Sequence, residues 1–126
     1  MDFKIFKMLY IEPLSVYEGV LHFFISELNN LLNGMRIDDI GIQRMRERAP
    51  VIVERCWLYK DVIGEDIASK LKDVAEREWD KENAILFIFY LAIAIERLVE
   101  RLERYLRNLR LHILAYNEDV IVADII

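Results

Sequence analysis

The chain has 126 residues, a single cysteine and a formal net charge of −5, which suits one domain with one core and leaves no intrachain disulfide framework to hold it. That acidity argues against sequence-independent binding to nucleic acid or to anionic membranes. The apolar fraction is 55%, above the ~45–50% of an ordinary soluble domain, so some apolar surface needs cover beyond a routine core.

The start, Met1-Asp2-Phe3-Lys4, has neither the basic region nor the apolar stretch of a secretory signal, and with one cysteine the expected compartment is the cytoplasm. Residues 3–11 (FKIFKMLYI) are aromatic and partly alternating, which reads as a strand or as an apolar arm. Ser15 followed by Glu18 matches a capping box and predicts the start of a first helix that stops at Asn33-Gly34. Its apolar row is Tyr17, Leu21, Phe24, Leu28 and Leu31, with Glu18, His22, Ser26 and Asn29 opposite. Asp38-Asp39 would cap a second helix through Arg48, and Pro50 is expected to break or kink it. A third helix then covers about residues 51–63 and stops near Gly64, and a fourth covers about 66–79 with Ile67, Leu71 and Val74 on one face.

Asp80 can cap a last helix that runs to about Asn117, roughly 36 residues and ~54 Å at 1.5 Å per residue. From Leu91 onward it carries a seam of Leu91, Ile95, Leu98, Leu102, Tyr105, Leu109, His112 and Tyr116, flanked every seventh residue by Val99, Leu106 and Ile113. Glu100 with Arg104 and Glu103 with Arg107 are acid-before-base pairs on its outer face. The apolar run 84–95 has 12 residues, too short for the ~20 that cross a bilayer, so no membrane association is expected. Its first part, 84–91, is apolar all round and so predicts surroundings on every side. Residues 120–126 add a β-branched apolar stretch.

These features predict an all-α, antiparallel bundle of about five helices in one domain spanning 1–126, with the last helix as spine and an arm or short strand at the termini. The excess apolar surface predicts a homodimer or another protein partner, with Phe87, Phe89, Tyr90, Leu91, Ile121, Val122 and Ile125 at the interface. The expected function is non-enzymatic assembly or adaptor work, in which the interface is the product.

A different class is suggested by Arg107-Asn108-Leu109-Arg110-Leu111-His112, an Arg-x4-His spacing with a polar residue after the arginine. The string resembles the motif of HEPN-type ribonucleases and toxins. The resemblance implies a dimer cleft in which the histidine does acid–base work on RNA and the arginine steadies phosphate. In a regular helix the two side chains point roughly 140° apart, at 100° per residue, so convergence requires a helix break or two protomers. The plainer reading makes His112 a hydrogen-bonded seam residue and Arg107 a partner of Glu103.

Glu18 and His22 stand one turn apart and could ligate a metal, but they have no third or fourth ligand in view; Glu100 and Glu103 are in the same position. Arginines 44, 46 and 48, and 97, 101, 104, 107 and 110, could grip phosphates, but glutamates interleave both clusters. No cofactor or metal is therefore expected, and there is no phosphate loop or dinucleotide fingerprint.

Overall fold

The computed structural model of the chain describes residues 3–34 and 39–116, and the described secondary structure is entirely helical. The elements are α1 (Phe3–Phe6), a π-helical turn (Lys7–Ile11), α2 (Glu12–Gly34), α3 (Asp39–Leu58), α4 (Lys60–Ile63), α5 (Glu65–Glu76) and α6 (Lys81–Tyr116). The expected all-α bundle with one long last helix is present. The alternative of a strand over 3–11 is overturned.

The reason lies at Pro13. Phe6 and Glu12, at the two joints of the π turn, have right-handed helical dihedrals, so α1, the π turn and α2 make one continuous rod. Inside a regular α-helix a proline ring meets the carbonyl four residues back, here that of Leu9. One wider turn relieves this clash, and in it the Glu12 N–H donates to the Lys7 carbonyl five residues back. Ser15 is consequently mid-helix, and the expected capping box does not start anything.

Pro50 also fails to end its helix, because α3 runs through it. Pro50 and Arg46, whose carbonyl loses its partner, are both exposed, so water can satisfy what the missing N–H leaves open. Termination comes instead at Tyr59, followed by the single turn of α4 and by Gly64 at φ +94°. Only glycine adopts that conformation without strain. α5 then buries Ile67, Ala68, Leu71 and Val74 and ends at the extended Arg77, earlier than its sequence suggests. α6 starts where expected: Asp80 Oδ1 accepts the Asn83 N–H at 2.8 Å, and the Asn83 side chain donates to the Glu78 carbonyl at 2.8 Å.

α2 and α6 form the central antiparallel pair. Tyr10 stacks on His112 and Tyr17 meets Tyr105, so the chain advances along one helix as it retreats along the other. Helices α3, α4 and α5 wrap one half of this pair. The buried cluster they enclose draws on α2 from Val20 to Leu31, on α6 from Ala84 to Leu98, and on Met45, Ile52, Cys56, Ile63 and Leu71 between them. Beyond Val20 and Leu98 the two long helices continue together as an arm, where Phe6 and Leu109 are buried outside that cluster. Among the described residues no helix is long and apolar enough to cross a membrane.

Candidate functional site

Among the described residues, α6 is packed on one side only in the arm. Leu98 is buried, Tyr105 is half-buried and donates its hydroxyl to the Tyr10 carbonyl, and the His112 ring lies 4.3 Å from that of Tyr10 at 23°. Burial, followed by the nearby Tyr17 and Tyr10 hydroxyls, raises the Tyr105 pKa above its ordinary value. Val99, Leu106 and Ile113 each follow one of these inward residues, which turns them about 100° away round the helix. Val99 and Ile113 stay half-buried, and Leu106 is 40% exposed.

Leu106 and Ile113 of this second row lie in an open groove of about 600 Å³ lined also by Glu103, Arg107, Leu109 and Arg110. Nearer the start of α6, Ile85 and Phe89 are also exposed. The groove is apolar along its floor and charged at its edge. Among the described residues none of Glu103, Arg107 and Arg110 forms a salt bridge within the chain, so the expected Glu103 to Arg107 pair is not drawn together.

The expected interface residues separate into three groups. Phe87 and Leu91 are fully buried in the chain's own core, Phe87 against Trp79 at 5.5 Å, and have no surface left for another chain. Phe89 is 58% exposed, with Tyr90 half-buried beside it and in contact with Lys70. Ile121, Val122 and Ile125 lie outside the described residues, as does the rest of the apolar stretch 120–126. The helical face around 84–91 is thus covered on one side rather than on all.

Arg107 and His112 do not converge. α6 has no break at Asn108, and Arg107 lines the groove while His112 lies against Tyr10 on a different face. His112 is exposed and not a buried seam residue, because among the described residues two helices alone enclose this end of the arm. Glu18 and His22 are both exposed, and among the described residues no group of three or more His, Cys, Asp or Glu is placed to hold a metal ion.

Comparison with protein-family models, with curated proteins and with solved structures finds no match.

Two polar devices escape a linear reading of the sequence. Glu27 on α2 is 5% exposed and receives a two-point hydrogen bond from Arg48 on α3, through Nε at 3.1 Å and through Nη2. Arg97 on α6 spans the α4–α5 corner, donating to the Ile63 carbonyl at 3.0 Å and to both Asp66 oxygens at 2.6 and 3.0 Å. Those hydrogen bonds hold the Asp66 carboxyl at about 2, against the opposing effect of burial. A Cβ at Gly64 would fall on the Arg97 guanidinium and displace it, so both the positive φ and this contact favour glycine there. Cys56 is buried and its thiol is pushed up to about 12 by desolvation, which makes it a packing group and not a nucleophile. These groups lock the base of the bundle, and none faces the groove.

Proposed function

We propose that the chain is a non-enzymatic, cytoplasmic assembly module that associates with itself through the open face of α6. The observation that carries this reading is the groove on the arm, in which Leu106 is exposed and Ile113 half-buried beside the buried Leu109, with no described residue of the chain filling it. Exposed apolar residues scattered singly need no explanation, but a heptad-spaced row on a two-helix arm is what one side of a helical bundle looks like before its partner arrives.

The direct test replaces Leu106 with glutamate and compares sedimentation with the parent chain. Leu106→Glu is expected to shift the assembly toward monomer while leaving the unfolding free energy of the monomer within about 0.5 kcal/mol, as for other exposed positions. Unchanged sedimentation would remove the groove from the interface.

One observation favours a second reading. His112 is exposed at the same end of α6 as Arg107 and Arg110, so two copies could present these groups together to RNA, in the manner the Arg-x4-His resemblance implies. Cleavage of single-stranded RNA that disappears in His112→Ala, with the oligomeric state unchanged, would establish it in place of the assembly reading. The net charge of −5 weighs against it.

A further inference from the structure

We infer that the partner on the α6 groove is a second copy of this chain laid antiparallel, with its two-fold axis passing between residues 106 and 107, so that Glu103 of each copy pairs with Arg110 of the other. This inference rests on the self-association reading and adds direction and register to it.

The charges at the groove edge carry the argument. Glu103 and Arg110 stand seven residues apart on the same face of α6, beside the row of Val99, Leu106 and Ile113, and both line the groove. In heptad terms they are successive flanking positions, the ones that set partner and orientation in paired helices. In a parallel, in-register pair, residues of the same flank lie on opposite sides of the seam, so Glu103 of one copy would not reach Arg110 of the other. Turned antiparallel about a midpoint between 106 and 107, each Glu103 comes level with Arg110 of the second copy, with Arg107 close by. The two-fold axis makes that contact twice. Of the two directions, the antiparallel one is the one that brings Glu103 and Arg110 together across the contact. All three side chains are free of intrachain salt bridges among the described residues, so no existing pair has to be broken.

The angle agrees. The open row lies about 100° round α6 from the row that meets the rod carrying Tyr10 and Tyr17, which is how the two neighbours of one helix sit in a four-helix bundle. Two arms joined this way would make such a bundle from four helices, with Leu106 of both copies at its centre.

The test uses two variants of the full chain that each add one cysteine, Glu103→Cys and Arg110→Cys, with a short thiol-specific cross-linker. Cys56 stays silent because it is buried and its thiol is protonated until about pH 12. After subunit exchange, the mixture of the two variants is expected to give cross-linked dimer, and each variant alone is not. Charge reversal supplies an independent readout: Glu103→Arg is expected to weaken the dimer about tenfold or more, and Glu103→Arg with Arg110→Glu to restore it. Self-cross-linking of either variant alone would overturn the antiparallel direction. A dimer by mass with no cross-link in the mixture, and no effect of charge reversal, would overturn this interface while leaving self-association standing. A monomer at every concentration would overturn both.

Discussion

The two halves of the α2–α6 pair solve the same problem differently. Around Phe24, Phe87, Leu91 and Leu98, three further helices close the core and drive these residues to full burial. Around Tyr10, Tyr17, Tyr105 and Leu109 the two long rods have, among the described residues, only each other, and the outcome is aromatic contacts on one side and an open groove on the other. The heptad pattern is continuous across both halves. Apolar periodicity therefore says which faces need cover, while the supply of neighbouring helices decides whether the chain covers them itself.

The largest contrast should come from truncating matched core residues. Phe87→Ala is expected to cost about 3–5 kcal/mol in denaturant unfolding, as for a fully buried aromatic. Leu109→Ala in the arm should cost less than the ~2–5 kcal/mol of a buried leucine when measured on the monomer, and should approach it only where the chain is associated. Equal costs at every concentration would erase the distinction between base and arm.

Next in size is the Glu27–Arg48 pair. Arg48→Met leaves a buried carboxylate without its two-point partner, and should destabilise the base by about 1–3 kcal/mol, less than the full cost of an orphaned buried ion because the Arg48 side chain is 47% exposed. Gly64→Ala is expected to cost about 1–3 kcal/mol through backbone strain at positive φ, and to displace Arg97 as well.

A pH effect of the corner follows from Asp66. Its carboxyl is lower in the folded chain, at about 2, than the 3.8 it has when unperturbed, so its contribution is fully present above the unfolded value and is lost as pH falls through that window toward 2. Urea midpoints measured between pH 5 and pH 2 should fall less steeply in Asp66→Asn than in the parent chain. Identical slopes would show that the Arg97 bridge contributes nothing to acid stability. Smallest of all, His112→Ala removes one exposed ring stacked on Tyr10, and should cost the monomer under about 1 kcal/mol.

Much of the base is legible in the sequence because its signals are local. Asp80 caps α6 as its position before the apolar run suggests, Gly64 stops a helix, and Ile67, Leu71 and Val74 share one buried face. The failures come from prolines. Pro50 looks like a break, yet sits where water can replace the lost hydrogen bond, and Ser15 looks like a helix start, yet the helix passes Pro13 through a π turn and begins earlier. Glu27 with Arg48 and Asp66 with Arg97 are separated by 21 and 31 residues, so no local pattern announces them. The candidate site was half legible: Val99, Leu106 and Ile113 stand out by their seven-residue spacing, and Phe89 is exposed. Phe87 and Leu91 carry the same apolar character but point inward, a distinction that requires knowing where α3 and α5 pack.

The most direct measurement is the solution mass of the purified chain by light scattering across a dilution series. The account predicts a dimer that dissociates on dilution or on Leu106→Glu substitution. A mass of 15.0 kDa at every concentration would contradict it, since the groove on α6 would then stay open to water in a chain that has no second copy on it.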